Sequence, residues 1–246
     1  DILTEFYSIE CLFANFIILC HKNTKFESYI YVFEEIIIIV HMAKIKQTPS
    51  LCKEPKPFVK WAGGKRQLVR LLIENAPKSY NTFIEPFVGG GALLINMKPG
   101  KAIISDINKE LINAYRVITK DLDNLLTSLQ KHRNEEEYFY SVRLQDPSHM
   151  TNIERASRFI FLNKVCFNGL YRENSKGKFN VPFGRYKNPN IEDSDNLRAV
   201  ASYLNCASVQ IFCQDFKVTS DMAKADDFVY FDPPYYPTTQ TASFTK

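Results

Sequence analysis

The sequence predicts an α/β protein built on a parallel β-sheet. Short apolar runs that end at a carboxylate recur along the chain, at residues 82–85, 101–106 and 228–232. Between these runs, apolar residues repeat at the spacing of amphipathic helices. Strands that alternate with helices pair in parallel through right-handed crossovers. We therefore expect the carboxylates to meet at the carboxyl edge of one sheet.

Local patterns from residue 58 onward indicate each element in turn. The segment 67–75 is predicted as a helix because Leu68, Leu71 and Leu72 lie on one helical face. Glycines and prolines mark the turns that separate strands from the helices after them. In chain order we expect a tight loop at 61–65, a helix at 67–75, a strand at 82–85, a glycine turn at 86–91, a helix from 92–97, a strand at 101–106, a helix at 109–118, one or two helices at 122–145, a helix at 153–166, an irregular basic segment at 168–190, a helix at 196–204, a strand at 209–213 and a strand at 228–231.

Composition is that of an ordinary globular protein and excludes several functional classes. Of 246 residues, 45% are hydrophobic and 24% are charged, and the net charge is only +4. The six cysteines include no CxxC pair and no histidine at metal-ligand spacing, so we predict no metal site and a reducing, cytoplasmic location. The apolar runs at 12–19 and 36–40 are shorter than the ~20 residues of a membrane span, so we predict no membrane association.

The first 56 residues differ from the rest of the chain. The apolar run at 12–19 has no basic segment before it and no small-residue cleavage site after it, so the pattern fits a signal peptide poorly. Met42 is followed by a polar stretch and a proline-rich segment at 49–57. We hypothesise that the native protein begins at Met42 and that residues 1–41 are upstream-translated or added sequence. A genuine N-terminal extension is the alternative.

The tetrapeptide Asp232-Pro233-Pro234-Tyr235 is the most informative motif. The carboxylate of Asp232 and a turn carbonyl can accept hydrogen bonds from an exocyclic amine, and the Tyr235 ring can stack on a planar base. The prolines hold φ near about −65°, so the carbonyls keep their direction. The alternative is a strand-ending Pro-Pro turn with an incidental Asp and Tyr.

A glycine turn at 85–91 lies between a strand and a helix. Glycines there allow close approach of a ligand, and the helix N-terminus favours its anionic group. The GxGxxG dinucleotide fingerprint is incomplete, because Leu94 occupies the third glycine position. Asp106, at the next strand end, can hold both ribose hydroxyls of a nucleoside or cap the following helix. Asp215 follows a further strand and can receive an adenine amino group or cap a turn.

Residues 155–187 combine eight Lys or Arg residues and seven aromatics with one acidic residue, Glu173. Basic residues interleaved with aromatics are typical of surfaces that contact phosphates and stack on bases. The alternative is a solvated basic face over a small core.

These motifs occur in the order found in Dam-type, D12-class DNA N6-adenine methyltransferases, which the chain resembles over roughly residues 57–246. The motifs that carry the resemblance are KWAGGK at 60–65, FIEPFVGGGAL at 83–93, SDIN at 105–108, FNGLYR at 167–172, KFNVPFGRY at 178–186 and DPPY at 232–235. Their shared order makes a chance similarity a poor explanation.

The resemblance implies a Rossmann-like S-adenosylmethionine-dependent methyltransferase sheet with an inserted, mostly helical DNA-recognition domain. The implied catalytic domain covers 57–117 and 206–246, and the DNA-recognition domain covers 118–205. The implied cofactor-binding residues are Trp61, Lys65, Glu85, Pro86, Phe87, Gly89, Gly90, Gly91, Asp106, Asp215, Phe216 and Asp232. The implied catalytic residues are Asp232, Pro233, Pro234 and Tyr235. The implied DNA-binding residues are Asn168, Gly169, Tyr171, Arg172, Lys178 and Arg185.

The implied reaction transfers a methyl group from S-adenosylmethionine to N6 of an adenine flipped out of double-stranded DNA, within GATC in many family members. Such a transfer depends mainly on positioning, and we expect a monomer that needs no metal. Two alternatives stay open: a methyltransferase for a protein glutamine or a small molecule, and a cofactor- or DNA-binding remnant without catalysis. The second rests on the end of the chain eleven residues after Tyr235, which we interpret as a truncated catalytic domain.

Overall fold

Parallel strands form a sheet of four in the residues that the computed structural model describes, 53–61 and 68–233. The strands are β1 (Phe83–Glu85), β2 (Lys101–Asp106), β3 (Ser208–Cys213) and β4 (Phe228–Val229), in the order β3-β2-β1-β4. β2 pairs with β3 along its whole length, from Lys101 opposite Ser208 to Asp106 opposite Cys213. Every pairing is parallel, as predicted, so the carboxyl ends of these strands lie at one edge.

Helices alternate with the first strands and make up much of the remaining chain. In the described residues they are α1 (Val69–Asn75), α2 (Ala92–Met97), α3 (Lys109–Lys120), α4 (Leu122–Leu129), α5 (Glu136–Leu144), α6 (Asn152–Val165), α7 (Ser194–Cys206) and α8 (Phe216–Ser220). Helix α6 begins at a capping box, in which Thr151 and Glu154 each accept a hydrogen bond from the other's backbone N–H. That box fixes the start of the most buried helix of the described fold.

The predicted elements are confirmed in kind, and most observed boundaries lie within two residues of the predicted ones. The segment 122–145 forms two helices, α4 and α5. Strand β4 ends earlier than predicted, because Tyr230 donates the last ladder hydrogen bond to Ile84 and the partner strand β1 stops at Glu85. Helix α8 was not predicted, since five residues are too few to show a helical period.

Helix α3 connects the sheet to the other helices. It packs against β2 and β3 on the sheet and against α4, α6 and α7 among the helices. One side of α3 is buried, and Tyr115 is the one buried residue of this helix that carries a polar group. The buried residues of α3 are Leu111, Ile112, Ala114, Tyr115, Val117 and Ile118. The largest cluster of buried residues therefore runs from the strands through α3 to α4, α6 and α7.

A second, smaller core lies between α5, α6 and the basic segment. Its members are Phe139, Val142, Phe161, Leu162, Val165, Cys166, Phe179 and Val181. Helix α6 contributes to both clusters, with Ile160 in the main one and Phe161 in the smaller one. The main cluster also contains residues on both sides of position 118, such as Val117 and Leu125. The domain boundaries at 118 and 206 stay predictions.

Some sequence predictions concern residues outside the described ranges. They are the loop residues 62–65 with Lys65, the residues Pro234 and Tyr235, and the segment 1–52 with Met42. Among the helices of 53–61 and 68–233, none combines the length and the apolar character that a membrane crossing requires.

Candidate active site at the carboxyl edge of the sheet

Carboxylates from neighbouring strands converge at the carboxyl edge, as the strand order requires. Because β1 lies between β2 and β4, Glu85 at the end of β1 lies between Asp106 at the end of β2 and Asp232 just past β4. Burial raises the pKa of the Glu85 carboxyl well above its usual range, and the charges of Asp232 and Asp106 raise it further. The three carboxyl groups thus lie close enough for the charge on Asp106 and Asp232 to oppose the ionisation of Glu85.

Glu85 is the most deeply buried of these carboxyl groups, with 3% of its surface exposed. It accepts a hydrogen bond from the backbone N–H of Leu94 in the first turn of α2. Its Oε2 atom has no hydrogen-bond partner among the described residues. A buried polar atom left in that state costs about 1–3 kcal/mol, and native proteins contain few of them. Such an oxygen is suited to a donor group that a ligand supplies.

Two glycines of the turn at 86–91 have left-handed backbone angles and no space for a side chain. At Gly89, with φ +49°, a Cβ atom would lie 2.5 Å from Cδ1 of Trp61. At Gly91, with φ +66°, a Cβ atom would lie 2.5 Å from the hydroxyl of Tyr115. That hydroxyl donates a hydrogen bond to the Gly89 carbonyl at 3.1 Å. The turn is therefore held between an indole ring and a buried phenol.

Asp106 holds the glycine turn instead of capping α3. Its Oδ2 accepts a hydrogen bond from Gly89 N–H at 3.1 Å, and its Oδ1 accepts one from Asn108 N–H at 2.9 Å. Asn108 is the residue that caps α3. Burial raises the pKa of Asp106, while the backbone donors oppose the shift. Each carboxylate oxygen can accept a second hydrogen bond, so Asp106 can still receive hydroxyl groups of a ligand.

Asp215 caps α8, which is the simpler of its two sequence interpretations. Its Oδ1 accepts a hydrogen bond from the backbone N–H of Lys217 at 2.9 Å. The neighbouring Phe216 stacks on Phe87 of the glycine turn, with ring centroids 5.1 Å apart. Phe231 follows β4, and its ring centroid lies 6.4 Å from that of Phe87. These rings give the carboxyl edge a partly exposed aromatic surface that suits a planar ligand.

A buried chain of polar side chains connects α8 to the turn, and sequence reasoning missed it. Gln214 Nε2 donates to Thr219 Oγ1 at 2.9 Å, and Thr219 Oγ1 donates to Ser105 Oγ at 2.7 Å. Ser105 Oγ in turn donates to the carbonyl of Pro86 at 3.2 Å. Isolated Ser, Thr and Gln residues are common on surfaces, so nothing in the sequence distinguished these three.

The basic segment 155–187 divides into an internal part and an exposed part. Arg155 pairs with Glu110 at 2.5 Å, and Lys164 pairs with Asp193 at 3.5 Å. Arg158 is 7% exposed and donates to two backbone carbonyls near the end of α5. The basic residues that remain exposed are Arg172, Lys176, Lys178, Arg185 and Lys187. The charge available to a partner is therefore concentrated at 172–187.

A short antiparallel hairpin carries most of this exposed charge. Asn180 N–H donates to the Arg172 carbonyl at 3.0 Å, and Asn174 N–H donates to the Lys178 carbonyl at 2.9 Å. The Arg172 side chain reaches across the hairpin, where its Nε donates to Asn180 Oδ1 at 2.8 Å. The sequence showed no period here because only one residue pair forms a bridge in this hairpin.

The six residues predicted to bind DNA occupy two kinds of environment. Asn168, Arg172, Lys178 and Arg185 are exposed. Gly169 is buried, and Tyr171 is half-buried with its ring stacked on Trp61. Most aromatics of the segment serve the two cores, but Phe167 is 51% exposed beside Asn168. The aromatic pattern of the sequence thus reflects packing more than an open stacking surface.

The family model that matches this chain describes D12 class N6 adenine-specific DNA methyltransferases, and it covers residues 61–246. The chain belongs to this family. It is an adenine-specific DNA methyltransferase by family, with DNA as its substrate class. The alternative of a protein-glutamine or small-molecule methyltransferase is thereby excluded.

Individual relatives match most of the chain. The type II methyltransferase M1.LlaDCHI of Lactococcus lactis subsp. cremoris is 46% identical over 197 residues, which are 78% of this chain and 69% of that protein. The type II methyltransferase M.MjaIII of Methanocaldococcus jannaschii is 45% identical over 214 residues, 78% of this chain and 73% of that protein. The DNA adenine methylase of Escherichia coli K12 is 35% identical over 199 residues, 78% of this chain and 69% of that protein.

The candidate site offers carboxylate oxygens, and the described residues include no metal-binding cluster. Within residues 53–61 and 68–233, no group of His, Cys, Asp and Glu side chains could hold a metal ion. Cys166 is buried, Cys213 is half-buried and Cys206 is exposed, and none of these three described cysteines forms a disulfide.

Proposed function

We propose that this chain transfers a methyl group from S-adenosylmethionine to N6 of adenine in duplex DNA, with both groups bound at the carboxyl edge. The observation that carries the proposal is the convergence of Glu85, Asp106 and Asp232 beside the glycine turn. Methyl transfer to an amine nitrogen requires an electrophilic methyl group and a nitrogen held in line with it. A cluster of carboxylates next to a close-approach turn suits both requirements.

The residues fit S-adenosylmethionine in the chemistry that they offer. The unpartnered Oε2 of Glu85 is suited to an ammonium group, and Asp106 retains acceptor capacity for ribose hydroxyls. The aromatic surface of Phe87 and Phe216 suits an adenine ring, with Asp215 beside it. When bound, the cofactor supplies an electrophilic methyl group. In this proposal, Trp61, Pro86 and Gly89 to Gly91 shape the pocket and exclude water.

Asp232 and Pro233 orient the target nitrogen in this proposal. The carboxylate and the proline carbonyl accept hydrogen bonds from the exocyclic amine and direct its lone pair toward the methyl group. Most of the acceleration then comes from proximity, which can reach about 7–11 kcal/mol for well-aligned groups. Pro234 and Tyr235 complete the motif in the sequence, and stacking on a ring such as Tyr235 offsets part of the flipping cost of a few kcal/mol.

The exposed basic hairpin is the proposed DNA contact. Arg172 and Lys178 are exposed on the hairpin, Asn168 and Arg185 are exposed in the segments on either side of it, and all four can meet phosphates or base edges. Gly169 and Tyr171 support the same loop from its inner side. The proposed recognition sequence is GATC, which many members of this family recognise.

The first experiment is tritiated methyl transfer from S-adenosylmethionine to adenine-unmethylated duplexes with and without GATC. Methyl incorporation that depends on GATC supports the whole proposal. Equal incorporation into duplexes without GATC supports the reaction but contradicts the proposed recognition sequence. Asp232→Ala should abolish transfer and keep most cofactor binding, measured by calorimetry with S-adenosylhomocysteine. Asp221→Asn, on the exposed end of α8, is the matched control and should keep full activity.

Binding of S-adenosylhomocysteine and DNA without any methyl transfer would instead favour the binding remnant. Wild-type turnover in Asp232→Ala would refute the role of that carboxylate.

A further inference from the structure

Asn163 is a fully buried polar residue that no motif singled out. It lies on α6 with 0% of its surface exposed. Its Oδ1 accepts the backbone N–H of Lys60 at 2.9 Å, and its Nδ2 donates to the Lys60 carbonyl at 2.8 Å. The same Nδ2 also donates to the Gly169 carbonyl at 2.9 Å. One amide group thus joins the segment before the glycine turn to the loop that precedes the basic hairpin.

The two joined segments also contact each other directly. A Cβ atom on Gly169 would overlap the aliphatic side chain of Lys60, so the Gly169 backbone packs against that side chain with no space for a side chain of its own. Trp61 stacks on Tyr171, with ring centroids 5.8 Å apart and planes 17° apart. Trp61 also lies against Gly89 and Gly90 of the glycine turn and packs near Phe159. Direct contacts through Trp61 and Tyr171 therefore connect the glycine turn to the start of the hairpin.

We propose that Asn163 is a positioning residue that couples cofactor binding to DNA binding. It does so by holding Lys60 and Trp61 in fixed register with Gly169 and Tyr171. A ligand at the glycine turn restricts the motion of Trp61. Because Trp61 stacks on Tyr171, and because the Asn163 amide bonds both segments, the hairpin becomes restricted as well. The second ligand then meets a surface that is already ordered, which makes its binding tighter. The inference rests on the proposed function, since it needs both ligands to bind.

The chemistry of the amide makes a sharp substitution available. Asn163→Asp keeps the size and the acceptor for Lys60 N–H but removes the donor to the carbonyls of Lys60 and Gly169. Those two carbonyls would then face a carboxylate in a buried site, which drives the segments apart.

The chain contains a matched control for this substitution. Asn196 on α7 is 2% exposed and clamps Lys56 in the same way, accepting its N–H at 2.8 Å and donating to its carbonyl at 3.0 Å. Within the described residues, both of these side-chain bonds go to Lys56, and neither reaches the loop before the hairpin. Asn196→Asp therefore matches the burial and the general destabilisation but spares the junction.

The experiment measures dissociation constants of S-adenosylhomocysteine and of an adenine-unmethylated duplex, each alone and in the presence of the other. In the wild type, each ligand should tighten the other by about tenfold, within the usual range of coupling between two sites. Asn163→Asp should reduce this factor to about one, and Asn196→Asp should keep it. Trp61 is the one tryptophan of the chain, so its fluorescence reports the junction directly. Duplex DNA should change that emission in the wild type and in Asn196→Asp but not in Asn163→Asp.

Tyr171→Leu provides a second variant if Asn163→Asp does not fold. It removes the stack on Trp61 but keeps an apolar side chain, and it should also lower the coupling factor. Equal coupling in the wild type and in the junction variants would overturn the inference, as would no coupling in the wild type or an equal loss in Asn196→Asp. If the wild type binds neither ligand, the proposed function fails first, and the inference fails with it.

Discussion

At the scale of single residues, burial shifts the pKa of two side chains, Glu85 at the site and His132 beside the smaller core, away from their ordinary values. Burial raises the pKa of Glu85, so its neutral form predominates to higher pH than in an exposed glutamate. Burial lowers the pKa of His132 from 6.5 to about 4, so this imidazole stays neutral at physiological pH. Each shift makes a specific contribution to the pH dependence of stability.

Glu85→Gln should raise stability at neutral pH and weaken cofactor binding. The unfolded chain ionises Glu85 near its ordinary pKa of 4.5, whereas the folded chain resists ionisation. The native state therefore loses stability as pH rises from 4.5 toward the raised pKa, and glutamine removes that loss. Thermal unfolding at pH 8 should show a higher melting temperature for the variant, and the difference should vanish near pH 4.

The same variant should bind S-adenosylhomocysteine more weakly, because an amide, unlike the Glu85 carboxyl, cannot ionise when the ammonium group of the ligand binds beside it. Glu74→Gln on the exposed face of α1 is the control and should change neither property. Unchanged affinity in Glu85→Gln would contradict the proposed contact.

His132 should make the fold less stable in mild acid. Its Nδ1 lies 2.9 Å from the Tyr138 hydroxyl and its Nε2 lies 3.0 Å from Ser157 Oγ, while its ring stacks on Phe161. The unfolded state binds the proton below about pH 6.5 and the folded state only near 4, so stability falls as pH drops through that window. The loss should reach about 2 kcal/mol after allowance for partial exposure.

His132→Phe keeps the stack and should flatten the pH dependence of the unfolding free energy between pH 6.5 and 4, although it lowers stability overall. His149→Gln, at an exposed position, serves as the control and should leave the slope as it is. An unaltered slope in His132→Phe would assign the acid sensitivity to another group.

At the scale of elements, the hairpin at 172–180 concentrates the exposed positive charge on a small, well-bonded unit. The internal pairing of Arg155, Arg158 and Lys164 removes those three from any interface. The backbone hydrogen bonds between Arg172 and Asn180 and between Asn174 and Lys178 fix the hairpin that presents the remaining charge.

Arg172→Ala should weaken duplex binding and reduce its salt dependence. A contact between this guanidinium and phosphate is lost, so the affinity should fall by on the order of 1 kcal/mol and the salt slope by about one charge. Fluorescence anisotropy at several salt concentrations measures both quantities. Arg198 on α7 is an exposed arginine that pairs with Asp123 on α4. The control variant Arg198→Ala should bind DNA as the wild type does. The same affinity and slope in both variants would remove Arg172 from the interface.

At the scale of the whole molecule, α6 joins the sheet side of the fold to the hairpin side. It supplies buried residues to both hydrophobic clusters, and residues from Lys53 onward form one compact unit. Tyr171 and Ile191 pack against both clusters as well. The core that places the carboxylates and the core that supports the hairpin should therefore unfold together.

Phe161→Ala should lower the stability of the whole unit and leave a single unfolding transition. The ring is fully buried in the smaller cluster, and its removal should cost about 3–5 kcal/mol. Denaturant unfolding followed by circular dichroism and by Trp61 fluorescence should give coincident curves. Leu144→Ala, at a side chain that is 78% exposed, should stay within about 0.5 kcal/mol of the wild type. Two separate transitions would instead support independent domains on either side of position 118.

The sequence by itself determined the α/β class, the parallel strands and the carboxylates at their ends. These follow from short-range patterns: an apolar run stops at Glu85 or Asp106, and the connection that follows sets the strand direction. It also carried the motifs from which the methyltransferase family could be inferred, and the family model confirms that inference.

Only the tertiary structure decided what each side chain bonds to. Asp106 accepts a hydrogen bond from Gly89 N–H, which the sequence did not predict, and Asn108 caps α3 in place of Asp106. Arg158 is buried and Arg172 exposed, although both belong to one basic segment. Asn163 joins residues more than a hundred positions apart, and no local pattern records such a bond. The reason is physical: a hydrogen bond or a buried charge depends on distance in space, which the chain sets only when distant segments pack together.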